Sequence, residues 1–257
     1  MNKITNAFEG KKAFIAFITG GDPDIETTEK LIVAMAESGV DIIEIGIPFS
    51  DPVAEGIVIQ KASERALLGG CTVDKLFEMV KSVRKETSIP LLFMTYINPV
   101  FVYGKERFMK KCVECGIDGI IVPDLPFEER DEIADECIKH GISQISLIAP
   151  TSNERIEMIA KESKGFIYCV SSLGVTGVRS EISTNISEMV KQAKKVTTTP
   201  CAIGFGISTP EQAQAMATIA DGVIIGSAIV KIVEESGKQS IDKIKQFVID
   251  VRKVLNA

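Results

Sequence analysis

The sequence predicts one (β/α)8 barrel, a TIM barrel, spanning residues 1–257, with an extra helix at the amino terminus. Three observations carry that expectation. Short β-branched runs alternate with stretches of helical periodicity from end to end. The strand runs are almost continuously apolar, as in a parallel sheet covered by helices on its outer face. Eight strand-then-helix units in 257 residues match the count and size of this fold.

The strands are expected at 13–19 (AFIAFIT), 41–47 (DIIEIGI), 90–96 (PLLFMTY), 119–124 (GIIVPD), 144–150 (QISLIAP), 166–172 (FIYCVSS), 201–206 (CAIGFG) and 222–227 (GVIIGS). Helical spacing of apolar residues marks TEKLIVAMAES, DKLFEMVKSVRKE, EERDEIADECIKH, ISEMVKQAKKV and TPEQAQAMATIA between them. SIDKIKQFVIDVRKVL follows the last strand. No linker, low-complexity tract or charge block interrupts the series. An open doubly wound sheet is the rival architecture. It usually has fewer strands and a G-x-G-x-x-G turn after the first, a spacing that TGGDPDIE lacks.

Composition narrows the function. The chain is 45% hydrophobic and 25% charged, with a net charge of −6, which argues against nucleic acid or an anionic membrane as its main partner. Six cysteines (71, 112, 115, 137, 169 and 201) lie in or beside apolar segments, as expected of reduced, cytoplasmic usage. The one C-x-x-C, Cys112 and Cys115, falls at a helix end without a second pair at metal spacing and reads as two partly buried thiols. No apolar run approaches the ~18 residues of a membrane span, and MNKITNAFEGKK has no signal-peptide core. A soluble cytoplasmic protein is expected.

In barrel enzymes the chemistry sits at the C-terminal ends of the strands. Here those ends read TGGDP, IPFSDP, TYINP, PDLP, APTS, SSLGVTG, FGIS and GSA. The ends GFGIS and IIGSA suit a phosphate, because glycines let backbone N–H groups approach the oxygens and a helix N-terminus adds positive potential. Ser227 can add a hydroxyl, and LGVTGVR after the sixth strand can close over the ligand. Taken singly, these glycines would only shape tight turns.

Glu44 stands among isoleucines. Period-two alternation turns Ile43, Ile45 and Ile47 to the helix layer and points Glu44 into the barrel mouth. Burial there raises its pKa and fits it to hold or deliver a proton near neutral pH. The alternative, a structural carboxylate paired to Arg or Lys, needs a basic residue that no strand interior supplies. No lysine lies in or at the end of a strand, which disfavours a Schiff base. The single histidine, His140, is expected to face solvent at a helix end, which disfavours histidine-ligated metal and Ser-His chemistry. Carboxylates, tyrosines and backbone remain, without a prosthetic group.

The segment EIGIPFSDPVAEG, with TGGDPD before it and VSSLGVTGVR, GFGIS and IIGSAIV after it, closely resembles the tryptophan synthase α-subunit family along essentially the whole chain. The resemblance implies a lyase of tryptophan biosynthesis that cleaves indole-3-glycerol phosphate to indole and glyceraldehyde 3-phosphate by a retro-aldol step. It implies a pyridoxal-phosphate-dependent β subunit as partner in an αββα assembly, receiving the indole, with no cofactor in this chain. By the same resemblance Glu44 shuttles the proton and Glu55 accepts the indole N–H. Phe17, Ile59 and Tyr96 then contact the indole, Tyr168 lies beside Glu44, and Asp124 is near the mouth. Phosphate contacts fall on Gly177, Phe205, Gly206, Gly226 and Ser227, Thr176 meets the second acid on closure, and Pro48, Asp51 and Pro52 are partner-surface candidates.

One stretch departs from the family pattern. Glu55 stands where the family has aspartate, and Ile57 where it usually has proline. The extra methylene shifts the carboxylate by roughly 1.5 Å, a misplacement that can cost of order 10²-fold in rate. Glu55 is still expected to serve as the second carboxylate. A competing expectation is a weakly active or inactive barrel that mainly activates a β subunit. An isomerase or epimerase of related layout would call for histidine, metal ligands or a strand-end lysine.

Overall fold

The computed structural model describes residues 3–170, 179–204 and 206–256, the side chains of 179–184 excepted. The chain opens with α1 (Lys3–Asn6), β1 (Ala13–Thr19), α2 (Ile25–Ser38) and β2 (Ile42–Gly46). Two helices follow β2, α3 (Ile57–Leu68) and α4 (Val73–Val83). Two more, α5 (Ile97–Tyr103) and α6 (Lys105–Cys115), follow β3 (Leu91–Met94). Next come β4 (Gly119–Ile121), α7 (Asp131–His140), β5 (Ser143–Gln144), β6 (Ser146–Ile148) and α8 (Asn153–Glu162). The last units are β7 (Ile167–Val170), α9 (Arg179–Lys194), β8 (Cys201–Gly204), α10 (Pro210–Ala217), β9 (Gly222–Ile225), α11 (Ser227–Ser236) and α12 (Ser240–Leu255).

The strands are parallel and run in the order β5-β4-β3-β2-β1-β9-β8-β7-β6. The fifth expected strand is thus split in two, and the split is where the circle closes. Its first half pairs with β4, and the Ile145 N–H still donates to Ile120 at 2.9 Å. Its second half, from Ser146, pairs with β7. One stretch of chain therefore serves both edges of the sheet, which removes the exposed edges an open sheet would carry.

Alternation divides the apolar residues as expected. Ile43, Ile45 and Ile47 pack outward with the helices. Ile15, Ile42, Leu92, Ile121, Ile145, Phe166 and Ile224 fill the interior. The amino-terminal segment plugs the bottom with Ile4 and Phe8. The plug needs a glycine above it, since a Cβ on Gly222 would lie 2.9 Å from both the Phe8 ring and the Ala13 carbonyl oxygen. Among the described residues, no helix is long and apolar enough to cross a membrane.

A repeated device holds the bottom face. Asp41, Asp118 and Asp221 each precede a strand and accept a backbone N–H from its neighbour: Phe14 at 2.7 Å, Leu91 at 3.0 Å and Cys201 at 2.7 Å. Each returns its own N–H to that residue's carbonyl at 2.9 Å. Each carboxylate is then met by a cation, Arg252, Arg84 and Lys194 respectively. Truncating Asp118 leaves the largely buried Arg84 charge without its carboxylate and the Leu91 N–H without its acceptor. Asp118→Ala is therefore expected to lose about 3 kcal/mol in urea unfolding, with no loss of activity per folded molecule, since the mouth is at the other end.

Candidate active site

Glu44 lies at the centre of the mouth, in register with Phe17 on β1 and Leu92 on β3. It is fully buried, and neither carboxylate oxygen has a hydrogen-bond partner among the described residues. Burial alone pushes its pKa up to about 8, so the acid is protonated at neutral pH. Tyr168, one strand position above Phe166 on the interior face, is also buried. Its pKa is pushed well up, by burial first and by the Glu44 charge second.

Glycines make room for the aromatic walls. A Cβ on Gly204 would lie 2.5 Å from the Tyr168 hydroxyl, and one on Gly46 would lie 2.6 Å from the Phe17 ring. Phe17 packs with Ala62 and Val230, and Val58, Ile59 and Met94 complete that apolar wall. The result is a wall of packed apolar side chains on β1, α3 and α11, in register with one neutral acid on β2.

Glu55 comes to the site on the segment between β2 and α3. It is half-buried, and its pKa is raised, by burial first, with the nearby Tyr96 hydroxyl opposing in part. Tyr96 is buried at the end of β3, its ring 5.3 Å from that of Phe49, and its hydroxyl accepts the N–H groups of Val53 (3.1 Å) and Ala54 (2.9 Å). Tyr96 thus does more than offer an apolar face. Ile57 is the first residue of α3 and 68% exposed, and no hydrogen bond of its N–H occurs among the described residues.

At the opposite wall, Gly226 caps α11 without a side-chain bond, and among the described residues no hydrogen bond is made by the N–H groups of Ala228, Ile229 or exposed Ser227. Gly206 has φ +75°, a left-handed conformation that favours glycine, with open space around it. Thr176, Gly177 and Phe205 lie outside the described residues. Asp124 accepts the Ile97 N–H at 3.0 Å, tying the end of β4 to the start of α5. Pro48 is buried, Asp51 exposed and Pro52 between the two.

Two expectations need correction. His140 does end α7, but its side chain is only 18% exposed and its Nε2, 3.6 Å from Glu136, is buried. Glu136 on its own helix and Glu106 on α6 lie against it. Glu106, Glu136 and His140 bring their ligand atoms within 4.8 Å of one another, but Lys139 already bonds Glu106 at 2.8 Å. Cys112 and Cys115 are fully buried rather than partly so, and burial pushes the Cys115 thiol up to about 11.

A closed parallel barrel with a partnerless buried acid on an interior strand position has the architecture of the barrel enzymes, whose chemistry sits at the C-terminal ends of the strands. The comparisons with known proteins are more specific. The family model described as "Tryptophan synthase alpha chain" matches residues 4–257. A tryptophan synthase alpha chain from Lacticaseibacillus casei is 50% identical over 257 residues, covering 100% of this chain and 97% of its own. One from Thermoanaerobacter sp. (strain X514) is 47% identical, covering 99% and 100%. Among solved structures, tryptophan synthase subunit alpha from Legionella pneumophila str. Paris matches with TM-score 0.90 at 37% identity, over 100% of this chain and 99% of that one. The ligand-free tryptophan synthase from M. tuberculosis matches with TM-score 0.90 at 30% identity, over 100% of both chains. The chain belongs to the tryptophan synthase alpha chain family.

Two stability predictions follow from the site. Glu44 has a raised folded pKa, so the stability it contributes is complete below pH ~4.5 and is lost as pH rises toward 8. Glu44→Gln does not titrate, and its advantage over wild type in urea unfolding should grow by about 1 kcal/mol per pH unit between pH 5 and 8. At position 57, Gly56 before it is extended (φ −74°, ψ 165°), which suits the residue before a proline. Ile57→Pro should therefore raise stability by about 0.5–1 kcal/mol in the same assay.

Proposed function

We propose that the chain cleaves indole-3-glycerol phosphate to indole and glyceraldehyde 3-phosphate. The observation that carries this reading is the protonated, partnerless Glu44 buried among apolar side chains inside the barrel. Retro-aldol cleavage needs a proton placed on indole C3, a proton removed from the glycerol hydroxyl, and stabilisation at the ring nitrogen. Glu44 starts neutral and gives its proton to C3. As a carboxylate it then takes the hydroxyl proton while the C–C bond breaks, and it ends neutral again. Glu55 accepts the indole N–H as positive charge develops on the ring. Phe17, Ile59, Tyr96 and Tyr168 hold the indole, and Asp124 sits at the rim.

The phosphate is assigned to the α11 N-terminus with Gly226 and Ser227, and to Gly206, Phe205 and Gly177, while Thr176 meets Glu55 on closure. Indole then passes to a β subunit, which carries the pyridoxal phosphate, in an αββα assembly. Exposed Asp51, Val53, Ile57, Phe101 and Val102, all from segments after β2 and β3, offer that partner a mixed surface, with Pro52 at its edge. Buried Pro48 shapes the turn beneath it. The reaction is placed in the cytoplasm, with no nucleic acid or membrane involved.

The test is indole release from indole-3-glycerol phosphate by the purified chain, with and without a β subunit. Glu44→Gln is expected to lower kcat by about 10³-fold and Glu55→Gln by about 10²-fold. A wild-type chain that releases no indole in either condition, while still raising β-subunit turnover, would support the purely regulatory alternative.

A further inference from the structure

Two helices, α3 and α11, flank one side chain. Phe17, near the end of β1, packs with Ile59 and Ala62 of α3 and with Val230 of α11. Gly226, just before α11, also lies against it, since a Cβ there would stand 3.2 Å from the Phe17 side chain. One turn beyond Ala62 on α3 comes Arg65, and one turn beyond Val230 on α11 comes Glu234. The Arg65 guanidinium donates to both oxygens of Asp22, at 2.9 and 2.8 Å, and to Glu234 at 3.3 Å. We propose that Arg65 is a positioning residue: through Asp22 and Glu234 it fixes the separation of α3 and α11, so that the indole wall and the phosphate cradle match the length of one linked substrate.

The planar fork of arginine suits this task. Asp22, in the loop after β1, is 3% exposed, so its charge needs a close counter-charge. Nε and one Nη of Arg65 meet it side on, which leaves the other Nη for Glu234. The β1 loop, α3 and α11 are thereby referred to one rigid group. A second ion pair, Lys238 to Asp24 at 3.0 Å, ties the segment after α11 to the same loop. On the lyase reading, α3 brings Ile59 to the indole and the start of α11 receives the phosphate. A ligand spanning both gains the affinity of both only when the spacing fits, because its second contact is then intramolecular. A spacing that drifts penalises the linked ligand and leaves each half alone. Arg65 acts through the two helices and is assigned no contact with substrate.

The inference rests on the lyase reading, and its test separates the two. Binding of three ligands is measured by calorimetry for wild type, Arg65→Lys, Glu234→Ala and the double variant. The ligands are indole, glycerol 3-phosphate, and 3-(indol-3-yl)propyl phosphate, whose chain carries no hydroxyl and does not cleave. Lysine keeps a charge beside Asp22 but cannot fork to both acids, and Glu234 is exposed, so both variants should fold. Each single variant is expected to weaken the linked ligand by about tenfold. Indole and glycerol 3-phosphate should stay within about twofold of wild type. The double variant should bind no worse than Arg65→Lys, because the two residues act through one bridge. Equal weakening of the linked ligand and its halves would show that the triad only supports the fold, and would overturn the proposal, as would unchanged binding throughout. Indole release is assayed in parallel. If wild type releases none, the lyase reading falls, and the binding data still decide about Arg65. Selective loss of the linked ligand supports the positioning role, and a wild type that binds it no tighter than either half overturns it.

Discussion

A carboxylic acid inside a barrel must either find a cation or stay neutral, and Glu44 stays neutral. An arginine beside it would have relieved the burial cost and pulled its pKa below the usual range, leaving no proton to give at neutral pH. The empty surroundings are thus the condition for the chemistry. They also explain the packing nearby, where aromatic rings and glycines replace polar partners. Phe17 and Tyr168 approach closely only because Gly46 and Gly204 carry no side chain.

The second acid is governed differently. Glu55 rides on a segment that belongs to neither strand nor helix, whose backbone at Val53 and Ala54 is held by the Tyr96 hydroxyl just past the neighbouring strand end. One acid is fixed by burial and the other by tethering. That division suits a reaction in which one proton must cross the site while the other end of the ring needs only a steady acceptor.

Much of this could be read from the residues in order. The alternation around Glu44 gave its direction, because outward Ile43, Ile45 and Ile47 leave it only the interior. Other features were hidden because their meaning depends on contacts far along the chain. The break at Ile145 reflects closure onto two different neighbours, which no local pattern records. Tyr96 looked like an aromatic wall, since the N–H groups that its hydroxyl accepts lie 43 and 42 residues away. Asp41, Asp118 and Asp221 carry no local sign of the strand N–H groups they accept, which lie 27, 27 and 20 residues away. His140 looked like a solvent-facing helix end because its cover comes from another helix.

Those three aspartates have a consequence for the entropy of the chain. They link residues 27, 27 and 20 positions apart, so each clamp closes a short loop. Pairing β1 with β9, which matches Ala13 to Gly222, spans almost the whole polymer. Because closure entropy grows only with the logarithm of length, that final join costs about 2 kcal/mol more than one clamp. A ring of eight units is therefore hardly more expensive to seal than one of its own hairpin-sized steps, provided the local links have already set each strand beside the next.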